Sequence, residues 1–362
     1  MRVTGIILLL LAALQMQAKK NDSLDIKIGQ MIMIGINERT ILQPDDALVK
    51  DLRDGKIGGV VLFEKNIAKT NSGDSLKLLI QKLQENAGIP LLVSIDEEGG
   101  KVHRLKEKYG FLTVPSAAYL GNLDNPDSTL YHNRLLAALL RHLGINLNYA
   151  PTVDLAVNPA NTVIVKNGRS FGENYTQVVT HAALCIQAHH EFGIKTSLKH
   201  FPGHGSSAGD SHLGMVDVTG TWNIEELLPY DKLLRSVNYD AVMVGHIINK
   251  RWDTTLLPAT LSEPAISGLL RTLLGFKGVV ISDDMQMQAI SDNYGFEAAI
   301  MMAINAGVDI VVFANTLPAK DKLVTATQIH EVIRKMVKKK KISRGRINEA
   351  YTRIMALKNK TF

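Results

Sequence analysis

Residues 192–212 have the sequence FGIKTSLKHFPGHGSSAGDSH, in which a short apolar run leads into a polar, glycine-rich segment. We predict a short strand over Phe192–Leu198. Lys199 and His200 then stand at the carboxyl end of that strand, where α/β enzymes place their chemistry. The glycines that follow predict a loop able to bring polar side chains over a bound ligand.

Strand candidates of this kind recur along the chain, and helix-like stretches such as Ser75–Asn86 and Ser128–Leu143 separate them. Mostly apolar strands that alternate with amphipathic segments indicate a parallel sheet covered by helices. Eight such units favour a single closed (β/α)8 barrel of the TIM type over a doubly wound sheet, and no GxGxxG motif opens any predicted helix. The predicted strands are Gln30–Ile36, Ile57–Phe63, Pro90–Ile95, Ile145–Ala150, Lys195–Lys199, Ala241–His246, Gly278–Ser282 and Asp309–Phe313.

The first 18 residues have the pattern of a targeting segment. Arg2 precedes an apolar core at Ile6–Leu14, and Ala18 stands just before two lysines. The core is too short to span a bilayer, so a cleaved signal peptide is favoured over an anchor. We therefore expect export to the periplasm, one catalytic barrel domain over residues 19–362, and no stable membrane insertion after cleavage. A monomer is the favoured oligomeric state.

The composition argues against a nucleic-acid-binding protein and against a protein held together by internal disulfides. An apolar fraction of 46% and a charged fraction of 21% are ordinary for a globular protein with a sizeable core. The net charge is +6, and much of it lies in one run, Lys335 and Lys338–Lys341, which predicts a solvated helix end. No aromatic residues interleave with this run, so we expect no nucleic-acid partner. The single cysteine, Cys185, rules out an internal disulfide and is predicted to be a small core residue.

Polar residues follow the ends of five predicted strands, the position at which a barrel builds its active site. Such convergence is hard to attribute to chance. Asp96, Glu98 and Arg104 follow the third strand, Asp154 and Arg169 the fourth, residues 199–212 the fifth, His246 the sixth, and Asp283 and Asp284 the seventh.

The segment 199–212 has three interpretations. A purely structural loop is disfavoured, because so many ionisable groups on a flexible segment are a poor source of stability. A metal site is the second, although the spacing matches no motif such as HExxH; its ligands would be His200, His204, Asp210 and His212. The third is an acid/base dyad, in which Asp210 bonds one ring nitrogen of His212 and leaves the other free to exchange a proton.

Outside this segment, Asp283 is the strongest candidate for a catalytic residue. It follows the strand-like run Gly278–Ile281 and would point into the mouth of the barrel. It could instead cap the next helix, and two consecutive aspartates allow one of each role. Asp96 and Arg104 suit either a structural ion pair or a sugar site, where carboxylate and guanidinium bind vicinal hydroxyls. Asp154 is interpreted as a brace for its own loop and is left out of the site.

Several motifs match one known family. They are Lys199–Gly205 with the ending Asp210–His212, Gly58–Phe63 with Asn66, Asp96-x-Glu98-Gly99-Gly100, Asn148-x-Ala150-Pro151, Arg169–Phe171 and Ser282–Met285. With these motifs the chain resembles the bacterial β-N-acetylhexosaminidases of glycoside hydrolase family 3 from about Ile28 to Lys358. The first motif with its ending is typical of the N-acetylglucosaminidase branch.

The resemblance implies that Asp283 is the nucleophile and that His212 is the general acid/base, oriented by Asp210. It also implies that no metal or organic cofactor takes part and that the partner is a glycan carrying N-acetylglucosamine. Lys101 and His103 depart from the family pattern, which commonly has Arg and Gln there, and the targeting segment departs from cytoplasmic relatives. The implied contacts to the terminal sugar are Asp96, Arg104, Arg169, Lys199 and His200.

The expected reaction removes a terminal, non-reducing β-linked N-acetylglucosamine with retention, through a covalent glycosyl-enzyme. A glycoside phosphorylase with the same site and phosphate as acceptor is the nearer alternative. A non-catalytic sugar-binding barrel is the more distant one. Peptidoglycan fragments, chitooligosaccharides and glycoprotein glycans stay open as natural substrates.

Overall fold

Eight parallel strands close into a barrel in the computed structural model, which describes residues 23–316 and 323–362. The strands follow chain order around the barrel, and the last pairs with the first. The (β/α)8 TIM-type fold is therefore confirmed, and the doubly wound alternative is wrong. The barrel strands are β1 (Ile32–Gly35), β2 (Gly59–Leu62), β3 (Leu92–Ile95), β4 (Leu147–Asn148), β5 (Lys195–Phe201), β7 (Ala241–Val244), β9 (Val279–Asp284) and β10 (Ile310–Phe313); β6 (Val216–Asp217) and β8 (Ile247–Ile248) form a separate parallel pair.

Helices surround the barrel, and local signals fix their ends. The helix Pro126–Leu143 begins after Asn125, whose side chain accepts a hydrogen bond from the Ser128 amide, and it ends at Gly144 in the left-handed conformation. Both predicted helices are confirmed, each beginning slightly earlier than expected. The α-helices are α1 (Leu24–Gln30), α2 (Ala47–Arg53), α3 (Ser72–Asn86), α4 (Ala117–Leu123), α5 (Pro126–Leu143), α6 (Tyr175–Glu191), α7 (Leu228–Ser236), α8 (Gln288–Ser291), α9 (Phe296–Ala306), α10 (Ala326–Lys338) and α11 (Arg344–Asn359). Short 3-10 turns lie at Glu64–Asn66, Glu107–Tyr109, Ile224–Leu227 and Ala259–Leu261, and Pro264–Leu273 is a π-helix.

Several predicted strand boundaries differ from the structure by one to three residues, among them those of the strand predicted over Phe192–Leu198. α6 continues to Glu191, and Phe192 and Gly193 form the turn, with Gly193 in the left-handed region at φ 72°. Glycine adopts this conformation without a side-chain clash, so the helix can end there. β5 therefore spans Lys195–Phe201, which puts Lys199 and His200 inside its carboxyl end.

The amino-terminal end of the barrel is closed by α1 and α11. The Lys358 ammonium on α11 donates a hydrogen bond to the Gly58 carbonyl, at the start of β2, at 2.7 Å. Asp309, fully buried just before β10, lies 2.7 Å from Arg346 and 3.1 Å from Arg353, both on α11. These contacts hold the closing helices at the amino-terminal ends of the strands. The barrel is therefore open at its other end, where the strands finish.

Three further sequence expectations concern membranes and covalent bonds. The signal segment, residues 1–18, lies outside the described residues and stays a prediction. Within the two described ranges, no helix is both long and apolar enough to span a bilayer. Cys185 is a free, buried thiol on α6, as predicted.

Candidate active site

A cleft of about 620 Å³ opens at the carboxyl ends of the barrel strands. Every residue that the sequence assigned to the site lines this cleft, although the segments that carry them are far apart in the chain. They are Asp96 and Arg104 after β3, Arg169 after β4, Lys199 and His200 in β5, Asp210 and His212 in the loop after β5, and Asp283 in β9.

A buried ionic cluster forms one side of the cleft. The Lys199 ammonium lies 2.7 Å from an Asp96 oxygen and 2.5 Å from a Glu98 oxygen, and only 1% of the lysine side chain is exposed. Arg169 donates two parallel hydrogen bonds to Glu98, at 2.9 and 2.8 Å. Burial raises the pKa of Glu98, but Arg169 and Lys199 together hold it far below its usual range. Glu98 is therefore ionised, and these buried contacts set the geometry of the cluster before a ligand binds.

Asp96 and Arg104 form a loose ion pair, so the structural interpretation and the sugar-site interpretation are compatible. Their closest charged atoms are 3.6 Å apart and both side chains are partly exposed, whereas Asp96 contacts Lys199 directly. The loop that carries Arg104 is held from behind by Glu97, whose carboxylate accepts the Arg104 amide at 2.8 Å. The buried His103 ring also bonds Glu97, so this unusual residue supports the loop and lies outside the cleft lining.

His200 has both ring nitrogens occupied. Its Nδ1 lies 2.7 Å from an oxygen of Asp154, and its Nε2 lies 3.1 Å from an Arg169 nitrogen. Arg169 can only donate, so Nε2 accepts and Nδ1 carries the proton. Asp154 was left out of the site on sequence grounds; it braces its loop as expected, but it also fixes the tautomer and orientation of His200.

The first half of the loop after β5, residues 202–207, is clamped by buried side chains. Asn161 donates to the carbonyls of His204 and Gly205 at 2.8 and 3.1 Å. Glu226 accepts the amides of Gly205 and Ser206 at 2.9 and 3.2 Å. Because each clamp binds backbone, this half of the loop is fixed independently of its own side chains.

The metal interpretation of this loop concerns His200, His204, Asp210 and His212. His204 is almost fully buried, and burial lowers its pKa to about 4. Over residues 23–316 and 323–362, no three His, Cys, Asp or Glu side chains come together in an arrangement that could hold a metal ion.

The second half of the loop carries the predicted dyad. Asp210 lies 2.7 Å from Nδ1 of His212, and the same carboxylate oxygen accepts the His212 amide at 2.9 Å. Half of the His212 side chain is exposed. The Nε2 atom is thus the nitrogen left to exchange a proton, in the geometry expected from the Asp-x-His spacing.

The two consecutive aspartates at the end of β9 have separate tasks. Asp284 accepts hydrogen bonds from the amides of Gln286 and Ala314 and so ties β9 to the end of β10. Burial raises the pKa of Asp283, but His246, His200 and His212 outweigh it and lower that pKa to about 2. The next helix is capped by Met287, so the helix-cap interpretation of Asp283 is wrong.

Three buried acids shape the site but were not assigned to it from the sequence. Glu98 belongs to a recognised motif but was not assigned to the sugar contacts. Asp154 and Glu226 reach the site only through the histidine and the backbone that they hold. Since each lies far in sequence from its partner, no local pattern could have revealed these contacts.

Comparisons with known proteins agree with this architecture. The family described as glycosyl hydrolase family 3 N terminal domain matches residues 23–357. A beta-hexosaminidase A from Pseudoalteromonas piscicida is 31% identical, over 84% of this chain and 53% of its own length. A beta-hexosaminidase from Tolumonas auensis is 34% identical, over 73% of this chain and 77% of its own.

Among solved structures, a glycoside hydrolase family 3 beta-N-acetylglucosaminidase from a Paenibacillus species superposes with a TM-score of 0.84 at 32% identity. The superposition covers 93% of this chain and 62% of that chain. This chain therefore spans between about half and two thirds of the length of these two larger relatives.

Proposed function

Because this chain belongs to glycosyl hydrolase family 3, we propose that it is a retaining, exo-acting β-N-acetylglucosaminidase. The observation that carries the proposal is the pairing of two groups in one cleft. Asp283 is ionised and contacts few protein donors, and the dyad of Asp210 and His212 lines the same cleft. A carboxylate nucleophile and a proton donor are the two groups that glycoside hydrolysis with retention requires.

In the first step, a carboxylate oxygen of Asp283 attacks C1 of the terminal sugar while the bond from C1 to the glycosidic oxygen breaks. His212 gives its Nε2 proton to that oxygen, so the leaving group departs as a neutral alcohol. Asp210 stabilises the ring during this transfer because its carboxylate holds the proton on Nδ1. The product is an ester between the sugar and Asp283.

In the second step, His212 takes a proton from a water molecule that attacks C1 from the face left by the first product. The ester bond breaks, Asp283 regains its charge, and the sugar is released with its original configuration. The histidine begins and ends the cycle protonated at Nε2. A histidine suits this double role near neutral pH because its intrinsic pKa is about 6.5.

The ionic cluster would bind the terminal sugar. Asp96 and Arg104 present an acceptor and a donor to the cleft, and Lys199 and Arg169 lie beside them. Vicinal hydroxyls can donate to one group and accept from the other. Their buried partners hold these side chains in place, so little ordering is needed on binding.

The test is turnover of p-nitrophenyl β-N-acetylglucosaminide with identification of the first-formed product. We expect free β-N-acetylglucosamine, detected by NMR before it mutarotates, and no turnover of the matched α-anomer. The same reaction in phosphate buffer should release no sugar 1-phosphate; if it does, the protein is the phosphorylase. Absence of turnover of β-N-acetylglucosaminides with either acceptor would favour the sugar-binding barrel.

The proposal includes export to the periplasm and action on peptidoglycan fragments or chitooligosaccharides. Export rests on the apolar core Ile6–Leu14 that follows Arg2. Cell fractionation with a blot for the chain tests it, and recovery in the cytoplasm would contradict it. A panel of muropeptides, chitobiose and glycoprotein glycans, compared by kcat/KM, identifies the natural aglycone.

A further inference from the structure

The end of the barrel opposite the cleft carries a concentration of positive charge. The segment 334–346 has the sequence RKMVKKKKISRGR, which contains eight Lys and Arg and no acid. The net charge of the whole chain is +6, so the remainder of the chain is net negative, by 6 − 8 = −2. The excess positive charge of this protein thus lies in one segment, which runs from the last turn of α10 to the first turn of α11.

Only part of this charge is used inside the fold. Arg346 binds the buried Asp309, Lys335 pairs with Glu297, and Arg334 lies 3.3 Å from Asp25. The others are exposed and make no ion pair with any acid in residues 23–316 and 323–362. We call Lys338, Lys339, Lys340, Lys341 and Arg344 the basic face.

The basic face has a shape as well as a charge. Lys338, Lys340 and Arg344 line a shallow cleft between α1, α10 and α11, and its apolar floor includes Leu24 and Ile342. The one acid in this lining, Asp25, is paired with Arg334, so the three other cations give the cleft a net positive charge. Cations around an apolar floor complement a surface whose anionic groups stand above hydrocarbon.

We propose that the basic face docks the barrel on an anionic phospholipid surface. The phosphodiester head groups pair with the exposed lysines and arginines, and the protein stays peripheral because no described helix spans a bilayer. Since the basic face lies beside α1 and α11, which close the amino-terminal end of the barrel, docking turns the catalytic cleft away from the membrane. The cleft then stays open to soluble glycans while the enzyme is held at the surface.

The test is co-sedimentation of the chain that starts at Lys19 with vesicles. This chain keeps every described element and omits the apolar core, so the core cannot account for binding. Vesicles of equimolar phosphatidylglycerol and phosphatidylcholine are compared with pure phosphatidylcholine. We expect binding only to the anionic vesicles, weakening as salt is raised.

The decisive variant is the triple change Lys338→Gln, Lys340→Gln and Arg344→Gln. Its matched control carries the same loss of charge on exposed lysines elsewhere: Lys50→Gln, Lys69→Gln and Lys77→Gln. The first should bind roughly 100-fold more weakly, at about 1 kcal/mol per cation near the surface, and the control should lose much less. Both should keep the wild-type melting temperature and turnover of a chromogenic N-acetylglucosaminide.

Three results would overturn the proposal. They are an absence of binding by the wild type, equal loss of binding in the triple variant and its control, and equal binding to neutral vesicles. A duplex DNA that binds the basic face as tightly as the anionic vesicles, at the same salt concentration, would also overturn it, because the face would then recognise polyanions in general. None of these outcomes depends on the proposed activity, which the chromogenic assay measures separately.

Discussion

The two sides of the cleft are built in opposite ways. The ionic cluster is buried: Lys199 is 1% exposed and is held by two carboxylates, and Arg169 is fixed by a bidentate contact. The dyad lies on a loop, and half of the His212 side chain is exposed. Among the residues that the structure describes, Asp210 is the one side chain that contacts the His212 ring at hydrogen-bonding distance.

This difference follows from what each side has to do. Sugar recognition depends on several directed hydrogen bonds, which are strongest when their donors and acceptors are already in place. Proton transfer to a leaving group requires access to the departing alcohol and to the incoming water, and an exposed loop gives that access. We therefore expect substitutions on the two sides to differ in which kinetic constant they change.

The largest effect is expected for Asp283→Asn, which removes the nucleophile that both sides serve. The amide is nearly isosteric, so the fold should be kept while kcat/KM falls roughly 10⁴-fold or more. Asp292→Asn, the same chemical change at an exposed position after β9, is the control and should be neutral. A fluorinated N-acetylglucosamine analogue should label Asp283; peptide mapping to Asp284 would move the nucleophile by one position.

His212→Ala should have the next largest effect, and it tests the exposed side directly. The loss should be roughly 10²- to 10⁴-fold on a natural disaccharide, because an alkoxide leaving group needs the proton. The rate of glycosylation from a nitrophenyl glycoside should fall far less, because nitrophenolate can leave without being protonated. The control is His142→Ala on α5, an exposed histidine outside the cleft.

Pre-steady-state measurements of the His212 variant separate its two roles, because deglycosylation can become rate-limiting when the base is also missing. Equal losses of the glycosylation rate on both substrates would mean that His212 positions the sugar and donates no proton.

Asp210→Ala should follow the same substrate dependence as His212→Ala with a smaller loss. The alanine removes the acceptor that holds the proton on Nδ1, so His212 samples the wrong tautomer for part of the time. Asp210→Asn, which keeps the size and can still accept from Nδ1, is the matched comparison and should retain more activity. If both variants act at wild-type rates on the disaccharide, the dyad plays no part in catalysis.

Glu226→Ala tests whether residues 202–207, the half of the loop that Glu226 holds, position the dyad of Asp210 and His212 in the other half. The change leaves the amides of Gly205 and Ser206 without their acceptor, at a cost of roughly 1–3 kcal/mol in unfolding free energy. Misplacement of the following dyad should lower kcat on a disaccharide by about tenfold, with KM nearly unchanged because the sugar contacts lie elsewhere. Glu226→Gln keeps an acceptor and should rescue both quantities; equal damage in both variants would contradict a positioning role.

The raised pKa of Glu226 predicts that the stability of the protein depends on pH. Burial raises the pKa of Glu226 from 4.5 to about 7. Between these two values the folded chain binds the proton that the unfolded chain has released, so the free energy of unfolding should fall as pH rises from about 4.5 to 7. Glu226→Gln cannot titrate there and should lack this component; denaturant melts across the range, with identical slopes in both proteins, would contradict the assignment.

The sequence predicted more of the barrel than of the contacts behind the site. Each barrel strand leaves a local signal, an apolar run, and all the predicted strands are present. Asp283 and the dyad were visible for the same reason, because strand ends and an Asp-x-His spacing are local patterns. Glu98, Asp154 and Glu226 instead act on residues 71, 46 and 21 positions away, so only the folded barrel reveals their partners.

The smallest effect is expected from metal removal, and it tests whether a metal ion joins the two sides. Ligands from His200 and His212 would tie the exposed loop to the buried cluster. His200 is poorly suited to this role, because its Nδ1 faces Asp154 and its Nε2 faces the Arg169 cation, which would repel a metal ion. Dialysis against a strong chelator should therefore leave kcat/KM unchanged on both a disaccharide and a nitrophenyl glycoside. A loss on both substrates that zinc or iron restores would replace the dyad with a metal centre and remove the contrast between the two sides.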